Sequence, residues 1–121
     1  MKSLLLVAHG SRRTQSNEEI AEITKSLKVR LSDKYEAVEH AFLELAEPSI
    51  PNAIDQLVSK GYEDVLILPY FLSAGRHVHQ DVPEIIESKQ QQYSHINIQV
   101  SPYLGESEKI IDLLEALSLQ N

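Results

Sequence analysis

The sequence predicts a small α/β domain, a doubly wound sheet of four parallel strands with helices on both faces. Three observations predict it. Short continuous apolar runs of strand length alternate with segments of helical periodicity. Runs that are apolar throughout belong to strands covered on both sides, as in a parallel sheet. Each pair of runs is separated by a helix-length stretch, the crossover that parallel neighbours need.

Ser3 to Ala8 is the first strand and ends in His9-Gly10-Ser11. Asn17 to Leu31 follows as a helix, with Ile20, Ile23, Leu27 and Leu31 on one face. Ala37 to Leu45 is the second strand. Ser49 caps the next helix, Pro51 lies in its first turn and Gly61 ends it. Asp64 to Leu68 is the third strand. After a loop, Asp81 and Pro83 open a helix that runs to about Gln91. Ile96 to Val100 is the fourth strand, and Glu106 to Leu119 the last helix.

The 121 residues suit one domain, 1–121, with no room for a second. An apolar fraction of 42% excludes disorder as the general state. The longest apolar run, Leu4 to Ala8, is far below the ~20 residues of a membrane span. It is also too short for a secretory signal, and Gly10-Ser11-Arg12-Arg13 follows at once, so a cytoplasmic location is expected. Without cysteine there are no disulfides and no thiolate metal sites. Any metal falls to His, Asp or Glu. A net charge of −7 argues against nucleic acid. The charge is uneven: residues 1–34 carry seven cations and four acids, and residues 35–121 carry four and fourteen. The basic N-terminal third can present a local positive rim to an anionic small molecule.

In an open parallel sheet, ligands bind beyond the carboxyl ends of the strands. His9 ends strand one, Glu44 ends strand two, and strand three runs into the loop carrying His77. Imidazole suits Fe, Co, Ni and Zn, and a nearby carboxylate completes a site or accepts protons. Each residue also has a plainer reading. His9 can be a polar turn residue or part of a phosphate cradle at a helix start. Glu44, by position alone, is expected to pair with Arg12 or Arg13. His77 can be an ordinary loop histidine, and His77-Val78-His79 can act as a ligand pair if extended. His40 and His95 read as structural or solvated. Pro69-Tyr70-Phe71-Leu72-Ser73-Ala74-Gly75-Arg76 is either a crossover packed on the core or a wall for a large flat ligand.

Three motifs now stand in order: Ala8-His9-Gly10-Ser11-Arg12; Phe42-Leu43-Glu44-Leu45 with Glu47-Pro48-Ser49; and Pro69 to Val78 with Asp81-Val82-Pro83. Together they resemble the sirohydrochlorin chelatases of the short CbiX type, class II chelatases of tetrapyrrole biosynthesis. The resemblance covers nearly the whole chain. It implies insertion of Co²⁺ or Fe²⁺ into sirohydrochlorin toward cobalamin or siroheme, with no further cofactor; imidazole donors serve Ni²⁺ alike. It implies His9 as metal ligand and proton acceptor and His77 as second metal ligand. Glu44 and Leu72, Ser73, Ala74, Gly75, Arg76 and His77 are implied to contact the tetrapyrrole. Arg12, Arg13 and Arg76 are expected to meet its carboxylates.

A homodimer is expected, because a macrocycle needs a cleft with two walls. The fourth strand and the cluster Ile110, Ile111, Leu113, Leu114 and Leu117 are its candidate surface. Two rivals remain at this stage. One is histidine-phosphatase-like phosphoryl transfer through His9, though Ala8 stands where that chemistry wants an arginine. The other is a non-catalytic metal- or tetrapyrrole-binding module.

Overall fold

The computed structural model describes residues 2–73, 75 and 77–120, with the backbone alone at 77 and 78. Strands β1 (Lys2–Ala8), β2 (Ala37–Phe42), β3 (Asp64–Pro69) and β4 (Asn97–Val100) form one parallel sheet in the order β2-β1-β3-β4. Between and after them come α1 (Thr14–Arg30), α2 (Ile50–Ser59), α3 (Val82–Gln92) and α4 (Lys109–Ser118). The four-stranded parallel α/β fold is as expected.

β1 is central, so both of its faces are covered and its unbroken apolar run is explained. Leu5 and Val7 join the α2 and α3 residues Ile50, Ile54, Leu57, Val82 and Ile86 on one face. Leu6 and Ala8 meet Ile20 of α1, with Ile23 and Leu27 beside it, on the other. Each such Leu, Ile or Val contributes ~1.5–3 kcal/mol on leaving water. Ser49 caps α2 by accepting the Asn52 amide at 3.3 Å. Among the described residues, no helix is long and apolar enough to cross a membrane.

Element ends differ from the sequence reading for local reasons. β2 stops at Phe42 rather than Leu45, and Leu45, at φ +66°, lies in the turn that follows. α1 starts three residues before Asn17, since polar residues 14–16 carry no apolar period to announce it. Asp81 does not cap α3. It has helical backbone and ends a π-helical turn, His77–Asp81, that leads straight into the helix. The last helix splits into a 3₁₀ turn, Leu104–Glu106, and α4.

α2 and α3 are tied by one polar cluster. Asp55 accepts from Lys89 Nζ at 2.7 Å and from the Tyr93 hydroxyl at 2.6 Å. Burial acts to raise the Asp55 pKa. The hydrogen bonds from Lys89 and Tyr93 and the charge of Lys89 outweigh it and hold the carboxyl below its ordinary value. A depressed folded pKa gives stability that is present above the unfolded value of ~3.9 and lost as pH falls through the folded one. Asp55→Asn is therefore expected to lower the Tm at pH 7 and to lose that deficit progressively as pH falls below the ordinary carboxylate range. Thermal denaturation from pH 2 to 7 checks this; a constant difference contradicts it.

Candidate functional site

At the carboxyl edge of β1, the chain turns at His9 and Gly10. Gly10 has φ +96°, and a Cβ there would lie 1.8 Å from the Glu44 carbonyl oxygen. That contact brings the end of β2 against the turn. The Glu44 amide donates to the His9 carbonyl at 3.1 Å, and the Leu43 amide donates to that of Ala8 at 2.9 Å. Asn17 secures the far side: its Oδ1 accepts the Ser11 amide at 3.1 Å and its Nδ2 donates to the Ser11 carbonyl at 2.8 Å. The His9 backbone is thus held from both directions.

On this frame His9 Nε2 lies 3.2 Å from Glu44 Oε1, and both side chains are half exposed. The ion pair expected between Glu44 and Arg12 or Arg13 is replaced by this one, because the Gly10 contact sets Glu44 beside His9. The His9 ring meets Phe71 edge-on at 6.3 Å between centroids. Phe71 is itself in the core, so the aromatic loop after β3 is part packing and part wall.

Two clefts meet at the pair. His9 lines one of about 510 Å³, walled by Ser11, Asn17, Tyr70, Leu72, Ser73 and Gly75. Glu44 lines the other, of about 520 Å³, with Asp81, Glu84, Ser88 and Lys89. A larger groove, about 660 Å³, is elsewhere, between α3 and β4, and contains neither residue. Chemistry rather than volume identifies the site.

Of the expected substrate loop, Leu72, Ser73 and Gly75 face the His9 cleft. Ala74, Arg76 and the His77 side chain lie outside the described residues. His79 lines the α3–β4 groove instead, with Pro69 and Val82. His40 packs edge-on to Phe42 and His95 to Tyr93, as structural histidines do. The sequence reading missed the Ser11–Asn17 clamp and the acids Asp81 and Glu84 beside Glu44. Asp81 was read as a cap, and an asparagine six residues beyond a serine carries no pattern of its own.

The His9–Glu44 pair can do two things chemically. Glu44 can hold a proton or a positive charge on the imidazole. Alternatively, a 3.2 Å separation is the span of two donors bound to one divalent cation, at ~2.1 Å each with an angle of ~100° between them. Among the described residues, no three His, Cys, Asp or Glu gather into a metal site.

The family model described as CbiX matches residues 3–120. The chloroplastic sirohydrochlorin ferrochelatase of Arabidopsis thaliana is 36% identical over 92% of this chain and 48% of its own length. The sirohydrochlorin chelatase SirB of Bacillus subtilis subspecies spizizenii, solved in complex with cobalt, superposes with a TM-score of 0.82 at 28% identity, over 95% of this chain and 48% of SirB. A cobalamin-biosynthesis CbiX protein of Marinobacter aquaeolei, described as putative, gives a TM-score of 0.79 at 26% identity over 98% of this chain and 94% of its own. The chain spans about half the length of the ferrochelatase and of SirB. A match from residue 3 to residue 120, on the fold and edge described above, means that the chain belongs to the CbiX family.

Proposed function

We propose that the protein inserts a divalent cation, Co²⁺ or Fe²⁺, into sirohydrochlorin. The observation that carries this reading is the His9–Glu44 pair between two clefts at the carboxyl edge of the sheet. The names of the ferrochelatase and of cobalt-bound SirB support it. Metallation removes two pyrrole N–H protons while the cation passes from protein donors to ring nitrogens. An exposed imidazole and carboxylate suit a labile cation better than a closed four-ligand cage.

In this reading His9 and Glu44 meet the cation from one side; as the cation passes to the ring nitrogens, the freed His9 nitrogen takes up one pyrrole proton and water takes the other. Glu44 then stabilises the imidazolium. Tyr70 and Leu72 give the macrocycle an apolar wall, and Arg12, Arg13 and Arg76 meet its carboxylates. His77 is the further donor. His79 lines the α3–β4 groove, which His9 and Glu44 do not. The second wall of the cleft comes from a second copy of the chain.

Phosphoryl transfer is not favoured, since Ala8 precedes His9 and no cation holds that position. The test is anaerobic incubation with sirohydrochlorin and Co²⁺, Fe²⁺ or Ni²⁺, followed by the absorption spectrum. Turnover beyond one equivalent is expected, and binding without turnover would leave only a carrier. In the same assay His77→Ala is expected to lose far more activity than His79→Ala; the reverse order would make His79 the ligand.

A further inference from the structure

We infer that Gly105, in the 3₁₀ turn after β4, is a positioning residue for the tetrapyrrole: it seats the backbone of Phe71 and Leu72 and so fixes the wall that faces His9. The inference rests on the function proposed above. Two successive carbonyls of the aromatic loop lie against this glycine. Its amide donates to the Phe71 carbonyl at 2.9 Å, and a Cβ at Gly105 would lie 1.8 Å from the Leu72 oxygen. The same Cβ would lie 2.5 Å from the Leu72 carbonyl carbon and 2.9 Å from its Cα, so all three nearest atoms are backbone. No rotamer change makes room. The φ of Gly105 lies outside the left-handed region, so glycine is needed here for the close approach and not for its conformation.

What this contact holds faces the site. The Phe71 ring meets His9 edge-on at 6.3 Å, while Leu72, 70% exposed, lines the His9 cleft with Tyr70, Ser73 and Gly75. A side chain that exposed is placed by its backbone rather than by packing. The Tyr70 amide is still held by β1, through the Val7 carbonyl at 2.8 Å, and the Gly105 turn takes over where the sheet ends. The turn is fixed in its own right. The Ser101 amide donates to the Ile67 carbonyl at 2.9 Å, Tyr103 packs against the core, and the Glu106 amide closes onto the Tyr103 carbonyl at 3.0 Å. None of Leu104, Gly105 and Glu106 is buried, so the turn adds little to the core it braces against.

The other flank of His9 is built the same way. β2 and β3 lie on either side of β1, and the segment after each is seated on a glycine. In both, a backbone carbonyl oxygen stands 1.8 Å from where the Cβ would be: that of Glu44 at Gly10, that of Leu72 at Gly105. Gly10 sets the charged partner of His9, and Gly105 sets the apolar wall. A flat macrocycle bound over His9 needs both in register, since a displacement near 1 Å costs about 10²-fold in rate.

Metal-free sirohydrochlorin, titrated by its absorption, is the probe. Gly105→Ala is expected to weaken its binding by about 10–100-fold, the contribution of one large apolar side chain left uncovered, with the circular dichroism of the sheet kept. Leu72→Ala, at an exposed position, is expected to weaken it as well. Because Gly105 acts through Leu72, the losses in the double variant should fall short of additive. Additive losses overturn the inference, and so does a lowered Tm with unchanged affinity, since the turn would then only stabilise the fold. Amide exchange in the unmodified protein tests the brace without any substitution. Binding of sirohydrochlorin is expected to slow exchange at Gly105 together with Leu72 and Ser73; slowing at Leu72 and Ser73 with none at Gly105 overturns the brace alone. No binding by the unmodified protein overturns the functional reading, and the brace with it.

Discussion

His9→Ala is expected to lower metallation of sirohydrochlorin by about 10²–10⁴-fold, the range of a lost general base, with the fold kept. The fold should survive because the imidazole is 49% exposed and meets the core residue Phe71 only edge-on, at 6.3 Å. The backbone bonds that hold the turn, Glu44 amide to His9 carbonyl and Asn17 to Ser11, do not involve the His9 side chain. What the substitution removes is the nitrogen 3.2 Å from Glu44, and with it both the proton acceptor and one cation donor. Glu44→Gln is the informative companion. It keeps the shape and a hydrogen bond but removes the charge that stabilises an imidazolium, so a smaller loss is expected. Turnover and thermal denaturation are measured together; near-normal metallation by His9→Ala, with an unchanged Tm, removes His9 from the chemistry.

β1 was legible because it is buried on both sides. Leu4 to Ala8 can be apolar without alternation only if helices cover both faces, and the structure covers them with α1 on one side and α2 and α3 on the other. The edge that carries the site followed from topology, since parallel strands bring their carboxyl ends together wherever the helices lie. Partners were harder. Position alone suggests Arg12 or Arg13 as the partner of Glu44, but its neighbour is set by a glycine contact across 34 positions, which no local pattern contains. The helical turn at His77–Asp81 was hidden because Asp81 followed by Pro83 reads as a start, and the residues before it have no apolar period. α4 was legible as a helix from its stripe, but periodicity says only that a face is apolar and not what covers it.

Gly10→Ala should damage both stability and activity, and for one geometric reason. The added Cβ would stand 1.8 Å from the Glu44 oxygen, 3.0 Å from its carbonyl carbon and 3.2 Å from the Phe42 Cβ. Backbone on one side and a fully packed phenylalanine on the other cannot move aside cheaply. Holding a non-glycine residue at φ +96° costs a further ~1–3 kcal/mol. For a domain of this size that alone lowers the Tm by several degrees, at roughly 4 °C or more per kcal/mol. If the segment yields instead, the Glu44 amide leaves the His9 carbonyl and the two side chains part. A displacement near 1 Å at reacting groups costs about 10²-fold in rate. Gly75→Ala is the control for stability, since a Cβ at Gly75 would meet nothing within 4 Å and its φ lies outside the left-handed region. The expected order in Tm is wild type and Gly75→Ala together, with Gly10→Ala well below. Equal melting of the two variants would show that the His9 turn does not depend on the close approach of Glu44.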